Sequence, residues 1–178
     1  KFLKKMNKHL IIYSSVDGHT KMICEHILKL INKENTVDIV SLNHVQNKNL
    51  SEYDIITVGA SIRYGKHRQE LFQFIQKNHT VLNAKQNAFF TVNAVARKNN
   101  KNTPNTNPYM KKFLKLSKWQ PGILGVFGGK IDYPKYNFFD KRIIQLIMLI
   151  TQGPTDTSKS YEFTNWNDVE HFSEKISI

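Results

Sequence analysis

Short apolar runs of strand length alternate along this chain with segments of helical periodicity, and that alternation permits few folds. Residues 9–14 read as a buried first strand. Residues 18–32 read as an amphipathic helix with Ile23, Ile27, Leu30 and Ile31 on one face. Residues 36–40 alternate like a second strand, and residues 55–60 are continuously apolar, as a central parallel strand is. Residues 69–77 are helical through Leu71, Phe72 and Ile75; residues 88–93 form a fourth strand. The polar stretch 97–108 reads as a loop, 109–116 as a short helix, 123–129 as a fifth strand and 167–176 as a last helix. Strands alternating with helices give an α/β fold, a parallel sheet covered on both faces. The expectation is therefore one domain over residues 1–178, with five parallel strands and a long insertion at about 130–164 after the fifth.

In such a sheet ligands bind where strand C-termini meet the connecting loops. Three of these loops carry useful chemistry. The first is Ser15, Val16, Asp17, Gly18, His19 and Thr20, a hydroxyl-rich turn between a strand and a helix. Its N–H groups and hydroxyls, with the partial positive charge of the helix N-terminus, form a cradle for phosphate. It is neither G-x-G-x-x-G nor a Walker loop, because no Gly-Lys-Ser/Thr occurs. A carboxylate facing a phosphate dianion is repelled, so Asp17 is expected to turn away and cap the following helix. The second loop holds Ser61, Ile62, Arg63 and Tyr64, and the third Asn93, Ala94, Val95, Ala96 and Arg97. Arg63, Tyr64 and Arg97 are the candidates for orienting a substrate.

The insertion contains Phe138 to Ile150, apolar almost all round from Ile143 onward. At about 1.5 Å per residue it spans roughly 20 Å, too short for a ~30 Å hydrocarbon core. Two readings stand: a buried core helix, or a helix lying on a membrane or against a lipophilic substrate. The flanking Lys130, Lys135, Lys141 and Arg142 and the aromatics Tyr133, Tyr136, Phe138 and Phe139 favour the second. Ile143, Ile147 and Ile150 are its expected outward residues.

The formal net charge is +12, which attracts nucleic acid, anionic lipid or acidic small molecules. A nucleic-acid role finds little support, because the basic stretch 98–101 sits in an Asn-rich loop without a recognised binding motif. A single cysteine, Cys24, excludes an internal disulfide and reads as a packed thiol. No Cys or His spacing marks a metal site. The basic residues 1–8 lead into no signal-peptide core, and Met6 is a compatible start.

The first loop resembles the phosphate loop of flavodoxins, with Asp17 standing where a hydroxyl residue is usual. Gly59-Ala60-Ser61-Ile62-Arg63-Tyr64-Gly65, Val95-Ala96-Arg97-Lys98, Tyr133-Pro134-Lys135-Tyr136 and the stretch 140–151 extend the likeness. Together they resemble the flavodoxin-like, quinone-dependent protoporphyrinogen IX dehydrogenases of bacterial haem biosynthesis, from about His9 to the C-terminus. That resemblance implies FMN, held by the three loops, with Tyr64 stacking on the ring. It implies oxidation of protoporphyrinogen IX to protoporphyrin IX with menaquinone or ubiquinone as acceptor. It also implies a peripheral seat on the cytoplasmic face of the inner membrane, through residues 133–150; a homo-oligomer is compatible with it. An electron-carrying flavodoxin is the first rival, but such carriers are typically acidic. A soluble FMN quinone reductase is the second, and neither rival needs the insertion.

Overall fold

A computed structural model describes residues 6–33 and 35–177; the basic residues 1–5 lie outside them. Strands β1 (Asn7–Ser14), β2 (Asn35–Ser41), β3 (Ile55–Ser61), β4 (Gln86–Asn93) and β5 (Ile123–Gly128) form one parallel sheet in the order β2-β1-β3-β4-β5. Helices α1 (His19–Ile31), α2 (Gln69–Asn83), α3 (Pro108–Ser117) and α5 (Trp166–Ile176) cover its two faces. The expected five-stranded α/β architecture is the one observed.

Both faces of the sheet are buried, and the pleat sorts neighbouring residues between them. Leu10, Ile12, Ile56, Val58 and Phe89 pack with Leu71, Ile75, Phe113 and Trp119 on the α2–α3 side. Ile11, Phe90 and Phe127 pack with Ile23, Ile27 and Phe172 on the α1–α5 side. Phe89 stacks on Phe113 with ring centroids 3.7 Å apart. Cys24 is fully buried among the α1 residues, and burial pushes its thiol pKa far up. It is a packed thiol, not a reactive one.

Some local expectations need correction. Leu30 is exposed, because Ile31 takes the inward position at the end of α1. Helix α2 runs beyond residue 77 to Asn83, through the polar run Asn78-His79-Thr80, and buried Leu82 fixes the final turn. Phe74, rather than Phe72, is its buried phenylalanine. The stretch 97–108 contains a tight 3-10 turn at Asn99–Lys101, and another, Ala94–Arg97, leads into it. Asn107, fully buried, closes it by donating to Asn93 Oδ1 (3.1 Å) and to the Lys101 carbonyl (2.8 Å).

The insertion builds a small layer of its own. Strands β6 (Lys130–Asp132) and β7 (Ser160–Glu162) pair antiparallel, and helix α4 (Phe138–Ile150) lies between them in sequence. Ile131, Tyr133, Ile144 and Met148 make its core. The return strand crosses the end of β5 at contact distance. A Cβ on Gly128 would lie 2.1 Å from the Phe163 carbonyl oxygen, so only glycine lets the backbones approach. There Thr164 Oγ1 donates to the Gly128 carbonyl (2.7 Å), and the Phe163 N–H to the Gly129 carbonyl (2.9 Å).

Two buried histidines tie stability to pH. His9 and His67 have pKa values lowered from 6.5 to about 4, chiefly by burial. Both are neutral when folded, so the unfolded chain binds protons first as pH falls below 6.5. Stability is therefore full above pH 6.5 and declines toward pH 4, by roughly 3 kcal/mol per histidine at full extent. Urea midpoints at pH 7.5 and pH 5 will show the loss, and His67→Gln will flatten the slope; an unchanged midpoint would refute the assignment.

Candidate functional site

The C-terminal ends of β1, β3 and β4 open into one cleft of about 810 Å³, counting its mouth. Ser15, Val16, Asp17, His19 and Thr20 line one end, Ser61, Ile62, Arg63 and Tyr64 one wall, and Asn93, Ala94 and Val95 the floor. The three loops singled out in the sequence thus converge. Gly18 lies just outside, in an adjoining groove bordered by Met22, Asp132 and Lys135. Ala96 is buried behind the floor.

At the α1 end the backbone is prepared for an anion. Gly18 is the N-cap, with φ +86°, and no side chain caps the helix. Helices α3, α4 and α5 are each capped by an asparagine side chain. The first N–H groups of α1 therefore keep their hydrogen-bonding capacity. Ser15 Oγ accepts the Gly18 N–H (3.0 Å), which shapes the turn and leaves the hydroxyl hydrogen free to donate. Thr20 Oγ1 is buried without a partner, a polar atom whose burial is costly unless a ligand pairs with it. These features fit a phosphate group.

Asp17 departs from its expected capping role. Its carboxylate accepts from Arg63 Nη1 at 2.5 Å. Arg63 also pairs with Asp140 of α4 at 3.3 Å, and its guanidinium packs near the rings of Tyr64 and Tyr136. The Tyr64 hydroxyl donates to the same Asp140. Arg63 therefore neutralises the carboxylate nearest the cradle and ties α4 to two loops. Tyr64 and Gly65 both have positive φ (49° and 76°), the pattern of a type I′ turn, closed by paired Arg63–Lys66 backbone bonds. For a tyrosine that conformation is strained, and it leaves the ring 44 % exposed at the cleft mouth.

Arg97 is elsewhere. Its guanidinium donates to the carbonyls of Ala94 (2.7 Å) and Thr151 (2.6 Å), and burial lowers its pKa. It binds the third loop to the C-terminal end of α4, where unpaired carbonyls attract a cation. Substrate orientation is not a role this geometry gives it.

The opposite wall was not anticipated residue by residue. Ile144, Ile147 and Met148 of α4 line the cleft, with Ile131, Lys130, Gly129, Tyr136 and Tyr109. Tyr109 supplies an aromatic that the third loop itself lacks. Helix α4 is thus only half a core helix. Ile144 and Met148 are buried, whereas Phe139 (77 % exposed), Leu146, Leu149 and Ile150 (72 %) face outward. The core reading fails for the outer face, and Ile147 belongs to the cleft rather than to the expected outward set. Helix periodicity carried the signal, since residues 144, 147 and 148 share a face.

His19 sits between cradle and insertion. Its Nε2 lies 2.6 Å from Thr164 Oγ1, while its Nδ1 is buried without a partner. Burial lowers its pKa, with Glu162 opposing and Lys130 adding to the effect. Among the described residues, no side chains of the cleft form the paired acid–base geometry of an unaided catalyst. The arrangement instead suits a bound redox group with an apolar flank.

The chain matches the family model described as flavodoxin domain over residues 10–158. A relative from Leishmania major named protoporphyrinogen IX dehydrogenase (quinone) is 42% identical over 168 residues, covering 93% of this chain and 73% of its own. One of the same name from Escherichia coli (strain K12) is 37% identical over 171 residues, covering 96% and 94%. Among solved structures, a flavodoxin of Streptococcus pneumonia TIGR4 is 14% identical with a TM-score of 0.53, covering 95% of this chain and 97% of its own. That last likeness concerns the fold alone.

The Arg63 hub gives a direct test. In a double-mutant cycle of Arg63→Gln with Asp140→Asn, unfolding free energies will couple by roughly 0.5–1 kcal/mol, the scale of a partly exposed ion pair. Additive effects would show that α4 is held without it.

Proposed function

The chain belongs to the flavodoxin domain family, beside relatives named protoporphyrinogen IX dehydrogenase (quinone), and from that premise we propose that it is an FMN enzyme oxidising protoporphyrinogen IX. The reaction is a six-electron change in three two-electron rounds, with menaquinone or ubiquinone as acceptor, in haem biosynthesis. The observation that carries this reading is the union, in one cleft, of a phosphate cradle and an apolar helix wall.

Each part has a physical task. Ser15, Thr20 and the α1 N–H groups hold the phosphate. The backbone of Asn93 to Val95 would hydrogen-bond the flavin, and Tyr64 and Tyr109 would offer it aromatic surface. Bound FMN supplies the two-electron redox chemistry that the side chains lack. Ile144, Ile147 and Met148 exclude water and offer an apolar surface to a tetrapyrrole or a quinone ring. Lys130, without an ion-pair partner among the described residues, supplies a cation for the propionates at the cleft edge.

The outer face of α4 supports a peripheral seat on the cytoplasmic face of a bacterial inner membrane. Leu146, Leu149, Ile150, Phe138 and Phe139 form an exposed apolar surface, and Arg142 lies over the Phe138 ring. Contiguous surfaces of this kind mark interaction sites. No helix among the described residues is long and apolar enough to cross a membrane. A lipid-soluble quinone would reach the cleft past α4, whose inner face is the cleft wall.

Two outcomes are expected. Purified protein will be yellow and, under nitrogen, will convert protoporphyrinogen IX to fluorescent porphyrin when a quinone is supplied; a rate no greater than the uncatalysed background would sink the proposal. Replacing Leu146, Leu149 and Ile150 with Ser will weaken binding to anionic vesicles by at least about tenfold while FMN stays bound. Vesicle affinity equal to that of the unaltered protein would remove the membrane role.

A further inference from the structure

Thr164 decides the state of His19. The Thr164 hydroxyl hydrogen is committed to the Gly128 carbonyl, at 2.7 Å. Its oxygen can therefore only accept from His19 Nε2, at 2.6 Å. Nε2 thus carries hydrogen, and a neutral His19 presents a bare lone pair at Nδ1. That atom is buried and has no partner; the residue is 8 % exposed and lines the cleft at the first position of α1. Thr20 Oγ1, next to it, is orphaned as well.

A lone pair repels an anion, whereas an N–H donates to one. The structure assigns to His19 a proton-carrying role: the imidazole takes one proton from solvent at Nδ1 when the cofactor phosphate binds, and donates that hydrogen to it. This rests on the FMN reading above and adds a step to it. Before binding, burial and the positive end of α1 keep the ring neutral. A phosphate dianion at the same helix end reverses the local field and favours imidazolium.

Two charges act on the ring in opposite senses, both weaker than burial. Glu162 of β7 favours the proton and Lys130 of β6 opposes it. The Asp17 charge is engaged by Arg63, and Asp132 by Lys135, at the adjoining groove. Trp166 of α5 contributes an uncharged ring, its centroid 6.3 Å from that of His19.

The test is FMN affinity between pH 6.5 and 8.5, where the phosphate is chiefly dianionic (second pKa about 6). Flavin fluorescence quenching by the full chain will show affinity falling as pH rises, with a limiting slope of about tenfold per unit for one proton. His19→Asn, which keeps an N–H for Thr164, will be flat over this range. In parallel, the His19 ring resonances of the unaltered protein will titrate at higher pH with FMN than with riboflavin, which lacks the phosphate. This measurement stands if His19→Asn fails to fold. Equal slopes in the two proteins, or a His19 titration that FMN leaves unmoved, overturn the proposal. If no flavin binds, the FMN reading fails; inorganic phosphate then serves as the probe, and a raised His19 titration upholds the proton-linked site while an unmoved one overturns it.

Discussion

A parallel sheet buried on both faces leaves polar groups almost nowhere to go except its ends. Leu10, Ile11 and Ile12 illustrate the constraint: consecutive residues, alternately directed, all without solvent exposure. The same holds for Phe89 and Phe90. Ser15, Thr20, Arg63 and Asn93 therefore gather at the C-terminal edge, where strands stop and backbone groups are free. The cradle, the Tyr64 turn and the third loop are neighbours because β1, β3 and β4 are neighbours in the sheet.

The insertion turns that generic edge into a particular cleft. Its path back across Gly128 is fixed by close backbone approach, and Arg97 anchors the end of α4 to the third loop. Arg63 anchors the start of the helix to the first two loops through Asp17 and Asp140. Held at both ends, α4 presents Ile144, Ile147 and Met148 inward and leaves Leu146, Leu149 and Ile150 outward. One helix thus carries an apolar inner face against the cleft and an apolar outer face that stays exposed, which is why it looks apolar nearly all round. A core helix of that composition would bury both faces; this one buries only the first.

Much of the fold was legible in sequence, because strand and helix periods are local properties. The five sheet strands and the main helices were found, with ends displaced where a polar run masked continued structure, as at Asn78 to Thr80 in α2; the short β6–β7 pair of the insertion was not. The three loops of the site were legible too, since each follows a strand. Their internal geometry was not. Asp17 read as a helix cap from its position, yet its partner, Arg63, is 46 residues away. Arg97 read as a site residue, yet Thr151, 54 residues on, claims it. Long-range ion pairs and hydrogen bonds leave no periodic trace in a single chain.

From sequence alone came the α/β class, the hydroxyl-rich loop awaiting an anion, and an insertion too apolar to be a linker. Those follow from short-range pattern, because burial acts on each element with a period of about two or 3.6 residues. Tertiary structure decided which cation faces which carboxylate, which side of α4 meets the cleft, and which nitrogen of His19 bears hydrogen. Those depend on where distant backbones cross: at Gly128, at the Tyr64 turn, and at Thr164, whose single hydrogen can serve only one acceptor.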